Sequence, residues 1–317
     1  MFNRLRFLIP LLFGANILQA QDPVFSGSGI APMVTNPAFA GTWASGRAQI
    51  SSRLQWMKLP GNYQTYHASY DQYFRVGAIG ASYTLDRKAG GLFTGQRAEL
   101  YYAAPFGLFK KEARPRVVVQ PGIGLAYATL KLDDSRLSFG DMMDPRRGLT
   151  YSSAEYFATP ILHNFDLAAG MLVYSKRFVA GFSAFHLTRP NVSFYGTSRL
   201  DIRYVAHAAG IIGDLENDSS IRLVPSVTMH SQGSATNYMA NLMASWTNFA
   251  VGIGYRSGDA ILFSGAAGYR MFRLQYTYDL TISKLSGQTG GSHEFCLTYR
   301  FMDEKWKDRL NLRHMLL

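Results

Sequence analysis

The sequence predicts an all-β fold, a transmembrane antiparallel β-barrel of about 14 strands, and three observations lead to it. Charged residues make up only 17% of the 317 residues, whereas aromatic residues reach 14%. The mean hydropathy is nevertheless −0.05, and no run of about 18 apolar residues follows residues 1–20. Apolar and polar residues instead alternate with a period of two in many segments. A sheet with one apolar and one polar face, closed within a bilayer, accounts for all three.

Residues 1–20 are typical of an export signal that is cleaved from the mature chain. Two arginines precede an apolar run at residues 7–13, and residues 18–20 form an acceptable cleavage site. The apolar run is too short to span a bilayer. No cysteine follows this site closely, which argues against a lipoprotein. The only cysteine, Cys296, leaves stability to backbone pairing and apolar burial.

Residues 21–45 precede the first predicted strand and include the uncharged stretch "TNPAFAGTW". Proline removes a backbone donor and biases the preceding asparagine away from helix, while glycine permits a sharp bend. We predict that this segment folds into or against the lumen near the periplasmic mouth, as a partial plug. A short lead-in packed at the barrel rim is the alternative. The candidate plug or partner-binding residues are Asn36, Pro37, Phe39, Gly41 and Trp43.

Residues 273–282 show the alternation that predicts each strand. Apolar or aromatic residues occupy the even positions from Leu274 to Ile282, and polar residues occupy the odd positions from Arg273 to Thr281. A helix would scatter each set around its axis. The same pattern predicts strands near 46–56, 62–72, 75–86, 95–104, 115–130, 162–175, 178–187, 200–212, 220–230, 236–247, 248–256, 260–269, 270–283 and 292–301.

Connection lengths provide a second test of the barrel. The links at 174–178 and 246–249 are tight, whereas the link at 131–161 is long. Outer-membrane barrels combine short periplasmic turns with longer outer loops, so both chain ends are expected in the periplasm. The link at 105–114 is the exception, because it is long for a periplasmic turn. We predict one barrel over 46–301, in preference to a soluble exported β-sandwich, whose links need not alternate.

The last predicted strand ends at Phe301 and is similar to the C-terminal signal that assembly machinery reads on outer-membrane barrels. Residues 302–317 follow it and are predicted to form a periplasmic tail, with a frayed end as the alternative. Trp306 and Arg309 are the candidate contact residues of this tail.

Several stretches resemble one known family of outer-membrane proteins. Two of them, "NPAFAG" (36–41) and "GSHE" (291–294), match best. The others are "RLQW" (53–56), "ASYD" (68–71), "LSFGDMMDP" (137–145) and "GFSAFHLTRPNV" (181–192). In these residues the chain resembles the PorP/SprF family of the type IX secretion and gliding systems, over nearly the whole mature length.

This resemblance implies a non-enzymatic barrel in the outer membrane of a Gram-negative cell. It implies partners among the periplasmic components of type IX secretion, including a peptidoglycan-binding lipoprotein. It also implies, for some members, a large surface adhesin with a C-terminal sorting domain. The resemblance does not separate the paralogues of the family or name a cargo.

Charged residues on the inward face predict a polar network that crosses the lumen. About eight strands already fill a barrel with their own side chains, so about 14 strands enclose a space that must be plugged or must conduct. The predicted members of the network are Arg53, Asp71, Arg273, Asp279, His293, Glu294 and Arg300.

Other chemistry receives little support from the sequence. Carboxylates on a flexible turn can bind calcium, but their spacing here fits no EF-hand, and arginines lie beside them. These weak metal candidates are Asp133, Asp134, Asp141 and Asp144. The seven histidines form no zinc motif, so we expect no cofactor and no enzyme activity. The excess of lysine and arginine over aspartate and glutamate is spread along the chain. This distribution does not indicate a nucleic-acid partner.

Three functions therefore compete at this point. The first is a secretion-system barrel that anchors or docks periplasmic components and contacts outer-membrane lipids. The second is a channel for hydrophobic compounds like those of the FadL family, which also have 14 strands and an N-terminal plug. The third is a general porin, which would conduct ions steadily.

Overall fold

The structure is a computed structural model that describes residues 22–27, 29–43, 45–111, 114–137, 139–144, 146–149, 151, 160–215, 220–283 and 286–301. The predicted export signal at 1–20 lies outside the described residues. So does the predicted tail at 302–317, with Trp306 and Arg309.

The described chain forms seventeen strands, which are numbered in chain order. They are β1 (Arg47–Gln55), β2 (Tyr63–Phe74), β3 (Gly77–Lys88), β4 (Phe93–Ala103), β5 (Phe106–Lys111), β6 (Arg114–Leu132), β7 (Met143–Asp144), β8 (Gly148–Leu149), β9 (Ile161–Tyr174), β10 (Phe178–Phe185), β11 (Arg203–Gly210), β12 (Arg222–Gln232), β13 (Ala235–Trp246), β14 (Phe249–Arg256), β15 (Ala260–Tyr269), β16 (Phe272–Thr281) and β17 (Ser292–Arg300).

Fourteen of these strands close into one antiparallel barrel, which confirms the predicted fold class. Each barrel strand pairs with its sequence neighbours, and the ring closes where β1 pairs with β17, Arg47 lying opposite Arg300. Between β4 and β6 the chain adds the short strand β5, which pairs with β6 as a hairpin. Strands β7 and β8 form a separate two-stranded ladder.

Alternation along each strand separates a membrane face from a lumen face. In β16, Leu274 and Leu280 are exposed on the outside, whereas Arg273 and Asp279 are buried on the inside. An aromatic and aliphatic outer wall suits a bilayer, because lipid cannot hydrogen-bond and the closed ladder satisfies the backbone internally.

The connections separate two rims. At the rim where β1 begins and β17 ends, the backbone N–H of Phe301 donates to the carbonyl of Gly46 at 2.8 Å. The turns after β2, β9, β13 and β15 at this rim are short, as predicted. The exceptional link at 105–114 is long because it forms most of the β5 hairpin. The longest connection, between β6 and β9, lies at the opposite rim.

Helical structure in the described part of the chain is limited to short pieces. One α-helix, α1, spans Pro32–Thr35, and 3-10 turns span Pro37–Phe39, Ala89–Gly91, Asp134–Arg136 and Gly140–Met142. Within the described ranges, no helix has the length and apolar character needed to cross a membrane.

Candidate functional site in the barrel interior

Residues 22–27 and 29–43, together called the N-terminal segment below, contact the inner wall of the barrel. Near the rim of β1, the guanidinium of Arg300 lies 4.4 Å from the ring centre of Trp43. At the other end, Asp22 contacts His186, which follows β10, and its N–H donates to Gln232, the last residue of β12. The segment therefore crosses the lumen from one rim towards the other. Its contacts thus reach from the predicted mouth into the opposite half of the lumen, and closure of the lumen by this segment stays a prediction.

The local fold of this segment follows from Asn36, Pro37 and Gly41. Asn36 ends α1 in an extended conformation, and its side-chain oxygen accepts the N–H of Ala38 at 2.9 Å. Pro37 begins the next 3-10 turn, where its missing donor costs nothing. Gly41 adopts φ +67°, which favours glycine, and turns the chain back towards β1.

Asn36 also fixes the segment to the barrel wall. Its Nδ2 atom donates to the carbonyls of Met171 in β9 and Phe182 in β10, each at 3.2 Å. Phe39 stacks on His207 in β11 with ring centres 5.0 Å apart. Asn36 is fully buried, so these bonds replace the water that its amide would otherwise need.

Gln120 in β6 satisfies two backbone carbonyls of the segment. Its amide donates to Ala38 at 2.9 Å and to Ala40 at 2.8 Å, while Tyr174 donates to its oxygen at 2.9 Å. Gly122, two residues further along the same face, leaves room for Ala38. A Cβ added there would lie 2.5 Å from the Cα of Ala38. Neither residue was predicted, since neither glutamine nor glycine in a strand signals a function.

The first charged cluster of the lumen holds Ser26. Glu294 accepts the N–H groups of Ser26 at 2.8 Å and of Gly27 at 2.9 Å, and it also pairs with Arg53. Asp279 accepts the Ser26 hydroxyl at 2.7 Å and pairs with Arg53 at 2.9 Å. Arg53, Asp279 and Glu294 were predicted; Ser26 was missed, as was Arg256, which lies 2.9 Å from Asp279.

The other predicted network residues do not join this cluster. Asp71 pairs with Arg47 at 2.8 Å and accepts the N–H of Gly41 at 2.8 Å. Arg273 is buried, and its Nε and Nη2 atoms have no hydrogen-bond partner among the described residues. Arg300 lies on Trp43, as described above.

His293 was wrongly assigned to the lumen. It lies on the outer face of β17, where Tyr276 contacts its Nδ1 atom at 2.8 Å and Tyr278 packs against its ring. The reason is the period of two: His293 shares its face with Phe295, whereas Glu294 points inward.

A second charged cluster holds the start of the segment. His186 contacts Asp166 through Nδ1 and Asp22 through Nε2, each at 2.6 Å, and Arg97 lies 2.9 Å from Asp166. Burial disfavours the imidazolium of His186, but the two carboxylates outweigh this effect and raise the pKa of His186. Burial also opposes ionisation of Asp22. His186 and Arg203 nevertheless hold the pKa of Asp22 well below its usual range.

Comparison with known proteins decides the family. Residues 17–299 match the model of the family described as "Type IX secretion system membrane protein PorP/SprF". The chain belongs to the PorP/SprF family. This membership and the closed barrel together support an outer-membrane location.

Solved outer-membrane structures are similar to this PorP/SprF protein at low identity, and one of them reaches a TM-score of 0.50. The P. putida toluene transporter TodX has a TM-score of 0.50 at 9% identity, over 88% of this chain and 95% of that chain. The CymD monoaromatic hydrocarbon channel has a TM-score of 0.47 at 11% identity, over 88% and 95%. Omp33 of Acinetobacter baumannii has 0.44 at 8% identity, over 81% and 99%. No curated protein matches the chain.

The outer loop of the PorP/SprF protein uses its carboxylates locally. Asp144 accepts the N–H groups of Arg146 at 2.7 Å and Arg147 at 2.9 Å, and these bonds lower the pKa of Asp144. Asp133 accepts the hydroxyl of Ser135 at 2.7 Å. Asp134 begins a 3-10 turn and Asp141 lies in the next one. Among the described residues, no three His, Cys, Asp or Glu side chains form a group suited to a metal.

Proposed function

We propose that this PorP/SprF protein is a non-enzymatic outer-membrane anchor that docks periplasmic components of the type IX secretion or gliding apparatus. The proposed partners include a peptidoglycan-binding lipoprotein and, for export, a surface adhesin with a C-terminal sorting domain. The observation that carries the proposal is the N-terminal segment, which occupies the interior of the barrel.

The bonding of the segment supports a permanent filling. Glu294 and Asp279 are almost completely buried, and both accept hydrogen bonds from Ser26. Moving the segment out would remove the hydrogen bonds that Ser26 donates to these carboxylates, and a hydrogen bond to a charged group contributes about 1.5–3 kcal/mol. A barrel built in this way suits an anchor better than a pore.

The rim where the barrel begins and ends supplies the proposed docking surface. Strands β5 and β6 extend this rim, and in sequence the residues from 110 to 116, "KKEARPR", are basic. Basic residues on a projecting hairpin suit an acidic partner. In the predicted orientation this rim faces the periplasm.

Crosslinking of native membranes tests the proposal. Extraction after mild crosslinking should recover the barrel together with periplasmic secretion components. Neutralising Lys110 and Lys111 together should weaken this recovery, whereas the control Tyr195→Ala in an outer connection should not. Recovery of the bare barrel under all conditions would contradict the anchor function.

A channel for hydrophobic compounds is the second candidate, favoured by the shared fold with the toluene transporter TodX. One cavity inside this barrel, lined by Phe25, Ile30 and Arg203, holds about 10 Å³, well below the several hundred that ligand pockets usually offer. A deletion strain that loses hydrocarbon uptake but still exports its surface proteins would favour this candidate. Steady conductance in planar bilayers would instead favour a general porin.

A further inference from the structure

The outer wall of the barrel carries a concave apolar groove that spans strands β9 to β14. It encloses about 620 Å³. Its lining residues on the membrane side include Met171, Phe182, Val227 and Tyr238, which are about half exposed. A groove in this position opens towards the hydrocarbon of the membrane.

Small residues in one row of the sheet create the groove. Ala180 in β10 lies opposite Ala208 in β11, and Ala208 lies opposite Val227 in β12. Val227 in turn lies opposite Ala240 in β13. All four side chains point outward, so the row forms a floor. Larger side chains in the next row, from Met171 and Phe182 to Met229 and Tyr238, form one wall.

The groove ends in hydroxyl groups. Tyr255 in β14 lies opposite Ala240, and Ser257 follows β14 at the rim opposite to the chain ends. Both residues line the cavity. The N–H of Gly258 donates to the Tyr255 hydroxyl at 3.3 Å, which places this end beside a polar connection. The opposite end, at Ala180, lies towards the other rim and is apolar.

The dimensions favour a slim occupant. Four strand spacings of about 4.8 Å give the row from β10 to β14 a length of about 19 Å. An α-helix of this length and about 10 Å in diameter fills roughly 1500 Å³, more than twice the volume of the groove. Because strands tilt by about 35–45° and the row crosses them, the groove runs obliquely through the bilayer.

We propose that this groove binds one acyl chain of a membrane lipid, with the lipid headgroup beside Tyr255 and Ser257. The carbon-rich lining excludes a charged ligand, and the bilayer supplies acyl chains at high local concentration. A chain held here differs from bulk lipid because the floor of small residues lets it contact the barrel along its length. The same strands bind Asn36 from the inside, at the carbonyls of Met171 and Phe182.

Native mass spectrometry of the full chain in mild detergent tests the proposal. The wild-type protein should retain one lipid per chain after exchange into lipid-free detergent. Ala208→Phe should reduce the retained fraction about tenfold or more, because displacing two methylenes already corresponds to that factor. The matched control is Ala98→Phe, which adds the same ring to the outer face between Tyr83 and Tyr127.

Two outcomes would overturn the proposal. One is a wild-type protein that loses all its lipid as fast as detergent exchanges, a measurement that needs no variant. The other is equal retention by wild type and Ala208→Phe, with both chains shown to be folded by their heat-modifiable migration. If Ala208→Phe does not fold, Ala208→Val serves instead and should show an intermediate loss.

Discussion

Glu294, in the last strand of the barrel, accepts the backbone N–H of Ser26 at 2.8 Å, although 268 residues separate the two. The carboxylate is fully buried and holds Arg53 as well. This contact joins the start of the described chain to its final strand. The stability of the barrel and the position of the N-terminal segment are therefore coupled, and the two can be measured together.

Glu294→Gln should loosen the N-terminal segment. The substitution keeps the shape but removes the charge that pairs with Arg53, so we expect a loss of about 3–5 kcal/mol in unfolding free energy. Limited proteolysis should then cut within residues 22–43. The control Asp134→Asn, in an exposed turn, should stay within about 0.5 kcal/mol of wild type. An uncut, fully stable Glu294→Gln protein would contradict the coupling.

Two substitutions at Asn36 separate its roles. Asn36→Asp keeps the oxygen that caps the 3-10 turn but loses the donor to Met171 and Phe182. Asn36→Ala loses both, and the cap alone contributes about 1 kcal/mol. We expect Asn36→Ala to lower thermal stability, and Asn36→Asp to lower it further, because Asp also buries a charge. A stability equal to wild type in both would show that Asn36 does not fix the segment.

Gly122→Ala should displace the segment by direct overlap. The added Cβ would lie 2.5 Å from Ala38, and neither backbone has a flexible end to give way. We expect a destabilisation of about 1–3 kcal/mol, measured by chemical unfolding. Gly265→Ala is the matched control, since nothing lies within 4 Å of its added Cβ. Equal stability of the two variants would show that Ala38 does not pack against Gly122 in solution.

The contact between Asp22 and His186 should depend on pH. Because the pKa of His186 is raised on folding, its contribution is fully present below its unfolded value of about 6.5 and is lost as pH rises through the raised value. The lowered pKa of Asp22 keeps its charge across this range. Proteolysis at the start of the segment should increase at alkaline pH in wild type, and His186→Gln should remove this dependence. Parallel pH profiles of proteolysis for wild type and His186→Gln would contradict a role of His186 in this dependence.

Deletion of residues 22–42 should open the lumen or abolish partner binding. Fourteen strands enclose more space than their own side chains fill, and we predict that the segment occupies that space. Planar-bilayer conductance and crosslinking recovery measure the two outcomes separately. If both stay at the wild-type level, the segment is a lead-in and not a plug.

The sequence was sufficient for the barrel because its signal is local. Alternation within ten residues fixes which face each side chain joins, and it predicted Arg53, Asp279 and Glu294 on the inside. The same rule, applied to His293, would have placed it outside with Phe295. The sequence could not predict which wall residues bind the N-terminal segment. Gln120 and Arg256 contact it only because the register of strands far apart in sequence brings them there. No pattern in one strand encodes that register.

The contact of Ser26 and Gly27 with β17 also bears on how the barrel is made. The segment is the first of the described parts to emerge during synthesis, and β17 is the last strand to arrive. A chain that crosses the lumen cannot easily be threaded in after the ring has closed. We therefore expect the N-terminal segment to lie within the incomplete barrel before Glu294 accepts its N–H groups. On this order of assembly, β1 pairs with β17 only after the N-terminal segment is in place.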